Sequence, residues 1–307
     1  MSSPGGPSTG KRERLALASA GVSFRLKVAV VWTLIFLFFG IFFYLAKFDN
    51  QWMLDNLEFI ARGLQFTVYI AIGGIVLAIF LAGIGALGRI SSNSIAFGIS
   101  GFYVSFFRGT PLIVQLFLIY LALPQVGANL SDRFPSLPDG FQSALILDAA
   151  VAGILALGLN YGAYMTEIFR AGIQSINPGQ SEAAEALGMT YGQRMGRVIL
   201  PQAFRVIIPP TGNEFIAMLK DTALVSFVGV SVGQAEIFRR SQLLGRADNR
   251  PLEALIVAAG MYWALTALFT VFQSRLEKRL SKGYVRGVTI TTRERPAVEP
   301  PPQAGLA

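Results

Sequence analysis

The chain has 307 residues, 53% hydrophobic and only 14% charged, with a mean hydropathy of +0.52 and a net charge of +8. A soluble domain carries roughly a quarter charged residues; the deficit here sits in apolar runs long enough to cross a bilayer about 30 Å thick. Cysteine and histidine are absent, which excludes disulfides, Cys/His metal sites, thiol nucleophiles and histidine acid–base chemistry.

No carboxylate pair stands out as catalytic. Gly5, four residues, then Gly10-Lys11 approaches a phosphate loop, but Arg12 stands where Ser or Thr would hold magnesium and no strand precedes it. It reads as a chance match, so nucleotide energy must come from another subunit. The positive charge reads as the basic bias of a cytoplasmic membrane face, not as nucleic-acid binding.

Residues 1–27 combine Ser2-Ser3-Pro4-Gly5-Gly6-Pro7 with Lys11, Arg12, Arg14, Arg25 and Lys27, the composition of a flexible basic tail. The apolar run 28–46 is longer than a signal-peptide core of about 7–15 residues and lacks a cleavage site after it. It reads as a first span. Polar residues 47–62 lead to a second span at 64–87.

The apolar region 95–123 is interrupted by Arg108-Gly109-Thr110-Pro111. One kinked helix would bury Arg108 near mid-membrane, at about 2.5–3.5 kcal/mol. We prefer to split it: 95–107 lies at the interface, Thr110 caps a new helix, and Pro111 takes the first turn. Residues 129–139 read as an extracytoplasmic loop, and further spans are expected at 144–168, 209–232 and 253–273. The longest polar segment between spans is 170–207. The tail 283–307, with Pro300-Pro301-Pro302, reads as disordered.

Basic residues orient the six expected spans. With both termini cytoplasmic, about 17 Lys/Arg lie inside and about 7 outside. Arg239, Arg240, Arg246 and Arg250 form one outside cluster, readable either as an electrostatic contact for a binding protein or as an interfacial anchor.

Residues 182–201 form the most patterned loop. Asn177-Pro178-Gly179 is turn chemistry. Ser181 can cap a helix, Glu182 and Glu185 suit its first turn, and Ala183, Ala184 and Ala186 are strong helix formers. Gly188 can end it with a positive φ. A second segment carries Arg194 and Arg197 and meets Pro201, which breaks the amide ladder. A small-faced helical hairpin of this kind suits docking into a groove on another protein; by composition alone it could equally be a plain connector.

Glu182-Ala183-Ala184, three residues, Gly188, nine residues, then Val198-x-Leu200-Pro201 resembles the EAA signature of ABC-importer permeases, with Val198 where isoleucine is usual. Phe107-Arg108-Gly109-Thr110-Pro111-Leu112, Leu159-Asn160-Tyr161-Gly162-Ala163-Tyr164, Glu167-Ile168-Phe169-Arg170, Leu200-Pro201-Gln202-Ala203 and Lys220-Asp221-Thr222 widen the match to the polar amino-acid permease family, over about residues 57–280. That resemblance implies an all-α, polytopic helical bundle in the cell inner membrane: a five-span permease core, preceded here by one extra N-terminal span. It implies a non-enzymatic subunit without its own cofactor, with ATP bound by two partner ATPase subunits. A second permease copy or homologue and an external solute-binding protein complete the expected assembly, and the 182–201 loop docks on the ATPase.

Asn160, Tyr164 and Glu167 share one helix face. They read either as a wall of the solute path or as helix packing, with Glu167 paired to Arg170. Lys220 and Asp221 are neighbours and face different ways, so either the helix breaks beside a polar cavity or each finds its own environment. Thr222 follows them, and Gln115, Asn213 and Glu214 are weaker pathway candidates. Gly158 and Gly162 permit close helix packing. An ion-coupled transporter using Asp221, Glu214 and Glu167 is the main alternative; a purely structural membrane protein leaves these polar positions unexplained, and an enzyme lacks a catalytic constellation.

Overall fold

The computed structural model describes residues 23–138 and 140–280; the expected C-terminal tail and most of the basic N-terminal tail lie outside them. Every regular element among the described residues is helical. Five helical segments are long and apolar enough to cross a membrane: Phe24–Ala46, Leu57–Ile90, Leu112–Arg133, Ala149–Gln174 and Pro251–Leu280.

Helix α1 (Phe24–Ala46) is apolar on all sides, starts at the Ser23 cap, and buries none of its residues. Short helices α2 (Asn50–Asp55) and α3 (Leu57–Ala61) lead into α4 (Leu64–Ile90). The interrupted region splits as expected, into α5 (Ser94–Gly109) and α6 (Leu112–Phe117). The break lies one residue further on than expected. Thr110 is extended and caps nothing; Pro111 itself is the cap residue, with ψ 135, and Leu112 opens the helix.

A π-turn, Leu118–Ala122, joins α6 to α7 (Leu123–Arg133), and α8 (Phe141–Ala144) follows. Residues 129–133, expected in a loop, are therefore helical. Helix α9 (Ala149–Gln174) starts later than expected because the Asp148 carboxylate accepts from Ala150 N at 2.8 Å. After it come α10 (Pro178–Ala186), α11 (Tyr191–Arg194), a second π-turn (Met195–Ile199), and α12 (Leu200–Asp221). Both π-turns run into a proline, Pro124 or Pro201. The wider turn accommodates the missing amide without breaking the rod.

The expected span 209–232 is displaced. Its helix, α12, starts at Leu200 and stops at Asp221, and Thr222–Val228 tightens into a 3-10 turn ending at Gly229 with φ 80. Arg205, Glu214, Lys220 and Asp221 keep α12 from qualifying as an apolar span by composition. It is held by protein instead. Helix α13 (Ile237–Ala247) and the long α14 (Pro251–Leu280) close the chain.

The centre is the α4–α9 pair, and small residues let the two helices approach. A Cβ on Gly158 would sit 2.5 Å from Leu77, and one on Gly162 would sit 2.6 Å from the Tyr103 hydroxyl. The Gly158–Gly162 pair is thus a packing seam. One core cluster joins α4, α6, α9 and α12 around Ile70, Leu116, Leu157 and Met218; a second joins α3, α4, α13 and α14 around Ile60, Ile237 and Val257.

Behind these cores lies a buried carboxylate. Glu236 is fully buried and accepts from Ser226 and Tyr262, from Phe238 N at 2.8 Å and from Arg239 N at 2.6 Å. Burial pushes its carboxyl above the usual range, while those hydrogen bonds pull the other way. Glu236→Ala leaves the four donors without their acceptor, and unsatisfied buried groups cost about 1–3 kcal/mol each before relaxation. We expect a loss of about 3 kcal/mol, read as a melting temperature about 6–12 °C lower in detergent; a change under about 2 °C would show the network to be immaterial.

Three of the four clustered arginines turn inward, while Arg246 is exposed. Arg240 donates to the carbonyls of Ala235 (3.0 Å), Val232 (3.2 Å) and Phe59 (3.3 Å), Arg239 donates to Val230 O (3.3 Å), and Arg250 pairs with Asp49 (3.1 Å) and Glu253 (3.3 Å). These three brace the fold, which disfavours the cluster as a free electrostatic patch.

Candidate functional site

The α5–α6 break, the middle of α9 and the end of α12 enclose a cavity of about 530 Å³. Arg108, Gly109, Thr110, Pro111 and Leu112 line it from the break, Asn160, Tyr161 and Tyr164 from α9, and Glu214 and Asp221 from α12. Glu214 and Asp221 are seven residues apart, two helical turns, so they share a face of α12.

The break is held by Gln115. Its amide Nε2 donates to Thr110 Oγ1 (2.7 Å), Phe107 O (2.9 Å) and Thr110 O (3.1 Å), while its Oε1 accepts from Asn160 Nδ2 at 3.1 Å. Asn160 also donates to Phe107 O at 2.9 Å. The carbonyls that the end of α5 leaves open are thereby satisfied by side chains. Gln115 braces the wall from behind and does not line the cavity.

Charges face one another across the cavity without touching. The Arg108 guanidinium lies over the Tyr164 ring, 5.1 Å from its centroid, and makes no ion pair with either carboxylate of the lining. Asp221 Oδ2 accepts from the Tyr161 hydroxyl at 2.8 Å. Glu214 is half-buried and has no hydrogen-bond partner among the described residues. One guanidinium and two carboxylates therefore surround an open space, with Arg108 exposed and Glu214 and Asp221 half-buried.

The remaining expected positions sort cleanly. Glu167 stands outside the cavity, tied to Arg170 (2.7 Å) and Arg89 (3.3 Å), which is the structural reading of that residue. Lys220 is exposed and faces away. Asp221 accepts from Tyr161 at the point where the helix tightens beside the cavity. Thr222 is buried and its hydroxyl donates to Leu219 O at 2.9 Å, securing that turn. Asn213 accepts from Gln273 at 2.9 Å and faces α14. Tyr161 was not singled out from the sequence, where it looks like one more ring in an apolar helix.

The 182–201 loop forms the second site. Helix α10 starts four residues earlier than a Ser181 cap implies. Asn177 is the cap, accepting from Gly179 N at 2.8 Å, and Pro178 takes the first helical position. At its far end Gly188 adopts φ 76, with Gly188 N donating to Glu185 O (2.9 Å) and Met189 N to Ala184 O (3.1 Å). This is a Schellman ending. Thr190 and Gln193 then cap α11 reciprocally. Arg194 reaches back to Glu185 at 2.7 Å, an ion pair between the two arms that is exposed on the Glu185 side.

Only Ala184 of α10 is buried, while Glu182, Ala183 and Gly188 are exposed and Leu187 is 81% exposed. Ile176, Ile199, Ala203 and Ile207 pack beneath and weld the loop to α9 and α12. Leu200 and Pro201 start α12 itself. The loop and the carboxylates Glu214 and Asp221 thus sit on one continuous rod.

Comparison with known proteins places this geometry. Residues 74–282 match the family described as binding-protein-dependent transport system inner membrane component. The probable amino-acid ABC transporter permease protein of Vibrio harveyi is 39% identical over 78% of this chain and 99% of that protein. The arginine transport system permease protein of Corynebacterium glutamicum is 38% identical over 76% of this chain and 72% of that protein. Among solved structures, that of an amino acid ABC transporter with histidines superposes with a TM-score of 0.64, at 35% identity, over 76% of this chain and 99% of that one. With that family match over two thirds of the chain, and full-length relatives of the same architecture, the chain belongs to the binding-protein-dependent ABC-transporter permeases, in their amino-acid branch.

Proposed function

We propose that this permease imports a cationic amino acid, and that the cavity between Arg108 and the Glu214–Asp221 face is where the solute crosses the subunit. The cavity's charge pattern carries this reading. An α-amino acid presents a carboxylate and an ammonium a few ångströms apart. Arg108 offers the carboxylate a planar pair of donors, and Asp221, oriented by Tyr161, accepts from the ammonium. Glu214 then faces the side chain. With one fixed positive and two fixed negative charges, a zwitterion leaves one carboxylate uncompensated, whereas a cationic side chain neutralises it. The volume falls in the usual range for small-molecule sites, about 300–1,000 Å³. Relatives named for arginine transport stand beside others named for cystine and glutamine transport, so the charge pattern alone carries the choice.

In the same reading the exposed face of α10 docks on a cytoplasmic ATPase subunit that binds the ATP. A second permease copy or homologue completes the membrane unit, an extracytoplasmic binding protein delivers the solute, and both termini are cytoplasmic. Closure of the ATPases moves α10 and α11, and α12 transmits that movement to Glu214 and Asp221.

Uptake by the reconstituted complex tests the proposal. Unlabelled lysine or arginine should outcompete glutamate at least tenfold against the labelled substrate. Preference for glutamate would overturn the charge reading, and uptake by the permease alone under an ion gradient would overturn ATP-driven import.

A further inference from the structure

The four donors that meet Glu236 come from three elements, and only one of these is its own helix. Glu236 caps α13, accepting from Phe238 N and Arg239 N, while Ser226 reaches it from the 3-10 turn and Tyr262 from α14. Among the described residues no cation pairs with it. A glutamine of the same length offers one acceptor oxygen, and its amide nitrogen would turn hydrogens toward two of the donors. Only an ionised carboxylate accepts from all four. An unpaired charge in a protein interior is costly, and here it holds three elements in one arrangement.

That arrangement leads to the cavity. The 3-10 turn Thr222–Val228 follows Asp221 directly, and its Thr222, Val225, Ser226 and Val228 are buried. The turn has no slack against α9, because a Cβ on Gly153 would stand 2.5 Å from Val225. Gly153 lies eight residues before Tyr161, the donor to Asp221, on the same helix. The other end of the link is held as closely. A Cβ on Gly63, at the start of α4, would stand 2.5 Å from Ile237 N, which donates to Thr67 Oγ1 at 3.4 Å. Tyr262, besides donating to Glu236, meets the Thr222 side chain. The turn is thus gripped at its first residue and its fifth.

We propose, on the reading of the cavity as the solute path, that Glu236 is a positioning residue for transfer: through Ser226 it holds the turn that sets Asp221 against Tyr161 and opposite Arg108. Glu236 itself does not line the cavity. In this scheme α12 is driven from the end that carries the 182–201 loop and restrained at the other. Movement of the rod then changes the setting of Asp221 instead of dragging the turn along.

Ser226→Ala tests the link, because it frees the turn and leaves Glu236 its three other donors. In the complex reconstituted with its ATPases and binding protein, uptake of labelled arginine should fall about tenfold. Added to Asp221→Asn, the same change should lower uptake less than twofold further, since the group it positions is already gone. Ser241→Ala is the structural control: its buried hydroxyl donates to Phe238 O at 2.7 Å, within α13, and makes no link to the turn. It should lower the melting temperature yet leave uptake within twofold. Ser226→Cys keeps a weaker donor; it should recover part of the loss, and it carries the same comparison should alanine impair assembly. A tenfold fall in both backgrounds, or native uptake by Ser226→Ala, would overturn the positioning role and leave the solute path standing. Native uptake by Asp221→Asn would instead overturn the solute path, and the positioning role with it.

Discussion

Asp221→Asn should lower uptake of the proposed cationic substrate by about 100-fold, with the complex still assembling and melting normally. Asparagine keeps the size of the side chain and can still accept from the Tyr161 hydroxyl, 2.8 Å away in the native protein, so folding is spared. What it removes is a carboxylate in a partly desolvated cavity, opposite Arg108. Losing one partner of such a charge-assisted contact costs about 2–5 kcal/mol, and about 2.7 kcal/mol corresponds to 100-fold. Tyr161→Phe removes only the group that orients Asp221. A hydrogen bond to a charged group is worth about 1.5–3 kcal/mol, so this variant should lose about tenfold or somewhat more, with about 100-fold as its upper bound. Glu214→Gln separates the roles of the two carboxylates. It should narrow the preference for cationic over neutral amino acids, whereas Asp221→Asn weakens both. Equal uptake by Asp221→Asn and native protein would remove the cavity from the solute path.

Much of the fold was legible because lipid imposes a simple code: about 20 apolar residues, bounded by polar or helix-ending ones. That code locates the ends of α1 and α4 to within about four residues and those of α9 and α14 to within about seven. It misplaces α12, because Arg205, Glu214, Lys220 and Asp221, with Pro209 and Pro210 inside the helix, leave no long apolar run to mark its ends. The start of α10 was misread for a different reason. Ser181 and Asn177 are both able to cap a helix, and the choice turned on Pro178, whose fixed φ suits a first helical position better than a loop. The cavity was half-visible: Arg108, Asn160, Tyr164 and Asp221 drew attention as costly polar groups in apolar surroundings. Tyr161 did not, since its partner Asp221 is 60 residues away and a tyrosine in a span needs no explanation by itself. Glu236 was invisible for the same reason. It stands in a polar loop, and nothing local says that Ser226 and Tyr262 will enclose it.

Gly188→Val should abolish coupling: uptake and substrate-stimulated ATP hydrolysis should both fall at least tenfold while the subunits co-purify. The reason lies in the backbone. Gly188 holds φ 76, and nothing lies within 4 Å of a Cβ built there, so crowding inside the subunit is not the obstacle. A left-handed conformation costs a Cβ-bearing residue about 1–2 kcal/mol, and a β-branched one resists it further. The Schellman turn then opens, with loss of the bonds from Gly188 N to Glu185 O and from Met189 N to Ala184 O. These bonds set the angle at which α10 meets α11, and α11 continues through a π-turn into α12. A changed angle therefore moves the exposed face of α10, the proposed docking surface, relative to the rod that carries Glu214 and Asp221. Gly188→Asn is the discriminating control, because asparagine tolerates this region through local hydrogen bonding. It should keep activity within about twofold despite adding a polar side chain to the exposed turn. If asparagine were as damaging as valine, steric blockage of docking would explain both. If valine left uptake and stimulated hydrolysis intact in an assembled complex, the loop would be a connector and no more.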